Sequence, residues 1–426
     1  MQEFIDFISF KDPNVVYVLL GMLFINSSTA LIGTFAYLRK RSLIGDAIAH
    51  SLLPGICLGF LAAGEKSLPY LLAGAFVSGW LSTFAVDLIV SKTKVKQDAA
   101  IGIVLSTFFA LGIVLLTYIQ KSGTGKHAGL DHFLFGQAAA ITRADIWVVG
   151  VIFLVILLMI ILFYRAFIVV SFNHEFAQSV GLPEKLISFF MTSLTVLAIA
   201  AGIQALGVVL ISALIITPAA TARMWTHYLK KILVFAAIIS VVSGIGGAYV
   251  SYANSGMPTG PWVVVFLAFF VFVSIVIAPG KGLISKYKRT IKNNRKILHE
   301  NILKAIYQFH ENQGNHEMNL AISIEDLLSV RNFDTAVMMK GLKLLIKEGF
   351  IKKVDNKYQL TEGGIFESQR VVKLHRLWEQ YLLKRTQIDT DHVHSGAEAI
   401  EHIITPEIEK ELERELGIDG IPKEDY

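Results

Sequence analysis

Residues 186–222 read LISFFMTSLTVLAIAAGIQALGVVLISALIITPAATA, 37 residues without a single Asp, Glu, Lys or Arg. A helix needs about 20 predominantly apolar residues to cross a bilayer, so this run is too long for one crossing. Its one interruption, Gly202-Ile203-Gln204-Ala205-Leu206-Gly207, carries two glycines and a Gln and predicts a tight turn between two spans. Working outward, further apolar runs fall near 14–37, 44–63, 68–90, 99–119, 146–164, 232–252 and 261–279. The pattern predicts a polytopic α-helical membrane protein of about 8–9 transmembrane helices, eight if one run lies in the interface or re-enters.

The charges divide the chain. Of 426 residues only 17% are charged, against about 25% in ordinary soluble domains. Residues 1–280 hold 16 Lys/Arg and 11 Asp/Glu, whereas 281–426 hold 23 of each. We therefore expect a membrane domain at 1–280, a basic linker helix at 281–296 and a soluble domain at 297–426. The net charge of +5 lies wholly in the membrane part, where basic loops set orientation, so it does not argue for nucleic acid. With the C-terminal part inside and nine spans counted back, the inside loops hold eleven Lys/Arg and the outside loops five. That bias predicts N-terminus out and C-terminus in. A single cysteine, Cys57, excludes an intrachain disulfide framework and a CxxC metal site. The opening MQEFIDFISFKDPN is acidic and lacks the basic start of a signal peptide.

No nucleotide site is legible. Gly125-Lys126 resembles the end of a P-loop, but Gln120 stands where its first glycine belongs and His127 where Ser or Thr should follow. The chain is not expected to be an enzyme; ATP-driven work would fall to a partner. Inside the spans the densest polar cluster is Gly45-Asp46-Ala47-Ile48-Ala49-His50-Ser51-Leu52-Leu53-Pro54-Gly55. Asp46 and His50, four apart, share one helix face, and their oxygen and nitrogen suit a divalent transition metal. A hydrogen-bonded pair that only fixes helix packing is the open alternative. Pro54 predicts a kink one turn later. Asp87, Gln204 and Thr217-Pro218 line a pathway or repair backbone, and His127, Asp131 and His132 form a cluster in an outside loop.

IGDAIAHSLLPG, QDAAIGIVLSTFFALGIVLL, DHFLFG, FNHEFAQSVGLP and GIQALGVVLISALIITPAATAR occur in this order over residues 10–280. Together they resemble the membrane permease of manganese/zinc/iron ABC importers, itself similar to the larger vitamin B12 and siderophore permeases. The resemblance implies a homodimeric permease in the bacterial cytoplasmic (inner) membrane, with a cytoplasmic ABC ATPase subunit and an extracytoplasmic metal-binding protein. It implies no covalently bound cofactor, and a transported Mn, Zn or Fe ion that Asp46 and His50 contact. Two copies would place two carboxylates and two imidazoles around one path. It also implies that FNHEFAQSVGLP is the coupling helix seated on the ATPase, through Glu175, Phe176, Ala177 and Gly181. By residue type alone, Asn173 caps a short helix with Phe176, Ala177 and Val180 as its apolar stripe, and an interfacial helix on lipid fits equally.

After Pro279-Gly280 the chain turns basic, as expected of a helix leaving an anionic inner face. Helices are predicted over 295–312, 323–329 and 333–348. A hairpin follows, Phe350–Val354 with Lys357–Thr361 across Asp355-Asn356. Three helices and a two-stranded wing make a winged helix, followed by helices near 362–386, 391–403 and 406–416. Over 297–417, Val371–Glu379 and Asp391–His402 resemble the iron- and manganese-dependent repressors of the diphtheria-toxin-repressor type. The resemblance implies a regulatory divalent metal held by His375, Glu379, His394, Glu398, Glu401 and His402. Those repressors also draw ligands from the first helix, where this chain has Asn301 and Lys304, which leaves His375, Glu379, His394 and Glu398 as the fuller set. Lys340, Lys343, Lys347, Lys352, Lys353 and Lys357 form a basic stripe that suits phosphates, lipid or the ATPase. Metal-dependent regulation of transport or a dimerising role is the first expectation for the tail, ahead of DNA binding. Two other classes stand beside the importer: a membrane-tethered metal-responsive DNA-binding regulator, and a secondary metal transporter without an ATPase.

Overall fold

The computed structural model describes residues 12–39, 43–65, 67–121, 141–254, 257–314, 320–331, 333–385 and 404–417, with single positions at 7, 9, 136, 138 and 318. It divides into two compact units, Met1–Ser285 and Lys286–Tyr426.

The described elements of the first unit are all helices: α1 (Pro13–Leu38), α2 (Ile44–Ala63), α3 (Leu68–Lys92), α4 (Gln97–Lys121), α5 (Arg143–Leu162), α6 (Tyr164–Phe172), α7 (His174–Ser179), α8 (Glu184–Leu206), α9 (Val208–Trp225), α10 (Leu229–Ala253) and α11 (Thr259–Ile277). Local chemistry sets the ends. The Asp12 carboxylate accepts from the Asn14 amide with Pro13 at the first helical position, and Thr142 and Asp145 cap α5 reciprocally. Eight of these helices are long and apolar enough to cross a membrane. Their outward faces are apolar, with Trp147, Leu154, Ile161, Phe269 and Phe272 all exposed. An aqueous surface would not carry that face; hydrocarbon does. The interior is built from Met22, Ile25, Ile48, Leu52, Ile199, Ile203, Ile211 and Ile215 on α1, α2, α8 and α9.

The long uncharged run divides as expected into two helices, but more sharply. The turn predicted over Gly202–Gly207 shrinks to Gly207 alone, whose φ of 80° and ψ of 161° interrupt the helix for one residue. No side chain is compatible with that conformation at low cost. The second helix, α9, has only 18 residues, which makes it the ninth run beside eight full spans. After α5 the chain does not enter a loop. It re-forms helix at once as α6, then α7.

α12 (Leu283–Asn312) begins in the last residues of the first unit and continues into the second, which also holds α13 (Ile324–Val330), α14 (Thr335–Glu348), β1 (Ile351–Val354), β2 (Lys357–Leu360), α15 (Glu362–Arg385) and α16 (Pro406–Leu416). The basic stretch 281–296 and the helix expected from 295 merge into one 30-residue helix. The wing pairs antiparallel with Ile351 opposite Leu360, and Asp355 and Asn356 both adopt positive φ, 44° and 66°. This is the turn whose twist matches a hairpin, and Asn and Asp tolerate it better than other side chains. Ile322 adds a short bridge to Tyr358 that the sequence reading had not anticipated. Ile302, Ile306, Leu327, Leu342, Leu345 and Ile351 make its core.

Candidate translocation site and tail pair

Asp46 lies in the first turn of α2 and His50 one turn on. The His50 Nε2 is 3.5 Å from the Asp46 Oδ1, longer than a good charge-assisted hydrogen bond. The ring stands edge-on to Phe109 of α4, centroids 5.1 Å apart, and its Nδ1 is buried with no hydrogen-bond partner among the described residues. The pair is only half-buried. It therefore offers an oxygen and a nitrogen on one side without saturating either. Among the described residues no three His, Cys, Asp or Glu side chains gather closely enough to hold a metal; the pair brings two ligands together. An acid in the first turn also complements the helix dipole, which is the packing account of Asp46.

The rest of α2 is held tightly. Pro54 has no N–H to give the His50 carbonyl, yet α2 continues through it to Ala63. A Cβ placed on Gly55 would stand 2.1 Å from the Gly74 carbonyl oxygen, and one on Gly74 equally close to that of Gly55. The backbones of α2 and α3 meet directly there, and the Ser78 hydroxyl donates to the Ser51 carbonyl at 2.6 Å. Small residues permitting close helix approach are the usual way helices associate in lipid.

Sequence reasoning passed over Asn26-Ser27-Ser28-Thr29 inside the first span, although four polar residues in an apolar run are visible in the sequence. All are buried. The Ser28 and Thr29 hydroxyls donate back to the Phe24 and Ile25 carbonyls, and the Asn26 amide donates to the Ser240 carbonyl of α10 at 3.1 Å. The Thr221 hydroxyl likewise donates to the Thr217 carbonyl at 2.6 Å, beside Pro218. Asp87 lies on the exposed side of α3, and His127, Asp131 and His132 lie outside the described residues.

The segment expected to couple to an ATPase is α7. The Asn173 side chain accepts from the Phe176 amide at 2.9 Å, and Gly181, at φ 78°, turns the chain so that the Leu182 amide reaches the Ala177 carbonyl at 3.0 Å. The expected stripe splits between two faces. Ala177 is fully buried beside Phe167, Val170 and Ile187, whereas Phe176 is 55% and Val180 58% exposed. Glu175 is exposed with them.

In the tail, His375 and Glu379 on α15 are both buried, with Nε2 and Oε1 2.9 Å apart. Next to them Arg376 grips Glu311 of α12 with two hydrogen bonds, 3.1 and 2.6 Å. His394, Glu398, Glu401 and His402 lie outside the described residues, so the geometry joins only two members of the expected set. The first-helix positions do not fit a metal. The Asn301 side-chain oxygen accepts from Arg331 at 3.2 Å, and Lys304 brings an ammonium into a site 1% exposed. His299 was not singled out from the sequence, and its partner Glu348, 3.0 Å away and also held by Arg295, is 49 residues on, beyond any local pattern. Burial pushes His299 below the ordinary histidine range despite Glu348, and burial alone does the same to His310. Lys340, Lys343, Lys347, Lys352, Lys353 and Lys357 are all exposed.

A bundle of eight spans carrying a helix-borne Asp–His pair, followed by a winged helix, defines a polytopic membrane transport subunit with a fused soluble domain. Residues 11–278 match the ABC 3 transport family, and the chain belongs to it. Residues 361–418 match the iron dependent repressor, metal binding and dimerisation domain. The manganese transport system membrane protein MntC of Bacillus subtilis is 40% identical over 379 residues, 89% of this chain and 86% of that protein. The zinc transport system membrane protein TroC of Treponema pallidum is 40% identical over 65% of this chain and 92% of its own. Among solved structures, PsaBC from Streptococcus pneumoniae in complex with Fab aligns with TM-score 0.59 and 30% identity, covering 65% of this chain and 96% of that one. The B. subtilis alignment, at 379 residues, is longer than the membrane unit and so reaches into the tail, whereas the T. pallidum and S. pneumoniae alignments each cover 65% of the chain.

Proposed function

We propose that this chain is the translocation subunit of an importer for a divalent transition metal, manganese, zinc or iron. A separate ATPase drives it and an extracytoplasmic metal-binding protein supplies the ion. The observation that carries the reading is the Asp46–His50 pair, 3.5 Å apart at one end of a spanning helix, with a buried Nδ1 left without a partner among the described residues. Two ligands from one chain are too few for a metal's full shell, so a homodimer places two pairs around one path. Carboxylate and imidazole suit all three ions, so selection lies in geometry and in the delivering protein. With α9 as a ninth, shorter crossing, the excess of Lys and Arg in the inside loops supports a second unit on the cytoplasmic side of a bacterial membrane.

For the tail we propose a cytoplasmic regulatory role in which His375 and Glu379 contribute to one divalent-metal site. The ill-fitting Asn301 and Lys304 argue for a single, weaker site than a repressor's. The exposed lysines of α14 and the wing keep DNA as a second reading.

The test of the main reading is metal uptake by Asp46→Ala and His50→Ala in cells, alongside co-purification with the ATPase. Uptake should fall to background while the complex still assembles. Near-normal accumulation in both variants would leave the pair a packing device. For the tail, the full-length Asp46→Ala/His50→Ala protein titrated with Mn(II) should bind metal, and His375→Ala should abolish that binding. Tight metal-dependent binding to DNA upstream of its own gene would instead promote the second reading.

A further inference from the structure

The first turns of α12 carry an apolar stripe that no described residue covers. Leu283 is 59% exposed, Ile284 45%, Tyr287 68% and Ile291 50%. Ile284, Tyr287 and Ile291 follow at spacings of three and four, hence on one helix face. Leu298, Ile302, Ala305 and Phe309 continue that same face, and there it packs into the core of the second unit. One helix thus shows a single stripe, buried in its second half and bare in its first.

The surroundings of the bare half say what covers it. Lys286, Lys288, Arg289 and Lys292 are exposed on its flanks and back. No acidic residue occurs from Lys281 to His299, and the first is Glu300. The next cations, Arg295 and Lys296, already pair with Glu348 and Glu300. The helix starts directly off the end of α11. The Gly282 amide donates to the Ala278 carbonyl at 2.8 Å, the Ser285 hydroxyl donates to the same carbonyl at 3.2 Å, and the Lys281 ammonium donates to the Arg223 carbonyl at 2.7 Å. Leu283 therefore begins one backbone turn from an apolar span.

We propose that residues 283–292 lie in the interface of an anionic bilayer, with Leu283, Ile284, Tyr287 and Ile291 in the acyl boundary and the four flanking cations among lipid phosphates. The inference rests on the reading of α11 as a spanning helix. An apolar face beside a polar face whose charges are all basic is the composition of a helix that lies on such a surface. A second copy on the same stripe would bring the four cations of each chain together without an acid to offset them, which disfavours helix pairing.

The test uses the full chain in its complex, with a nitroxide on Ile291→Cys and, separately, on Arg289→Cys, which lies on the opposite side of the helix. It is reconstituted in bilayers of phosphatidylcholine alone or mixed with phosphatidylglycerol. The native Cys57 is buried; each label is placed both with Cys57 present and with Cys57→Ser, so that a failure of the latter to fold does not end the experiment. In the anionic bilayer the label at 291 should lose several-fold of its collision rate with an aqueous nickel chelate and gain collisions with oxygen, while the label at 289 stays wet. Neutralising Lys286, Lys288, Arg289 and Lys292 to Gln should return position 291 to its neutral-bilayer value. Equal aqueous access in both bilayers would overturn the proposal. Spin–spin broadening at 291 would also overturn it, by showing that a second copy covers the stripe. Neither readout depends on transport, so a failed uptake assay and a failed lipid contact are told apart.

Discussion

At Gly55 and Gly74 the side chain is absent because backbone stands where a Cβ would be. Gly55→Ala or Gly74→Ala must push α2 from α3, and overpacking of this kind costs about 1–3 kcal/mol or more; the expected result is a lower yield of folded protein and an earlier thermal transition in detergent. The buried histidines of the second unit give a prediction of opposite kind. His299 and His310 are held below their unfolded value of about 6.5 by burial. The unfolded chain then binds protons that the folded one refuses. The stability they confer is complete above that value and is lost as pH falls through and below it. Protection factors over residues 298–350, each corrected for the intrinsic exchange rate at its pH, should fall between pH 7.5 and 5.5, and His310→Phe should flatten that dependence. Asp46 and His50 were legible because their spacing of four appears in the sequence itself. His299 with Glu348 was not, because only folding brings them together.

The helical elements followed from apolar length, and their ends from caps such as Asp12 and the Thr142/Asp145 box. What the sequence could not supply was the sharpness of the break at Gly207, since Gly202 was an equally good candidate until packing chose. It also could not tell which side of α7 faces inward: Ala177 and Phe176 are adjacent, and only the neighbours Phe167 and Ile187 decide. Phe176→Asp should leave the bundle folded and, if α7 docks on the ATPase, abolish co-purification and transport together. Ala177→Asp should instead fail to fold, because it buries a charge. An intact, active complex carrying Phe176→Asp would make α7 an interfacial helix only. In the wing, Asp355 and Asn356 already adopt positive φ, so Asn356→Gly should stabilise the second unit by a few tenths of a kcal/mol, read as a higher melting temperature. Asp355→Val should lower it.

On the scale of the chain, the asymmetry of charge between residues 1–280 and 281–426 announced two differently solvated parts, and the wing was legible from Asp355-Asn356 between two short strands. The merging of 281–296 with the next helix was not, because basic and amphipathic segments are equally good helix formers and no cap separates them. The metal residues expected beyond Arg385 lie outside the described residues, so the tail is argued from His375, Glu379 and the misfit of Lys304. The direct contact of Gly55 with Gly74 has a kinematic meaning as well. Two helices interlocked backbone to backbone have no cushion of side chains through which to roll or slide, so α2 and α3 travel as one plank. In the proposed transport cycle, turning the Asp46–His50 end from one side of the membrane to the other cannot be the swivel of a single helix. The compliance has to sit in joints elsewhere, and among the described residues the helix interruptions at Gly207 and at Phe163 are two such joints.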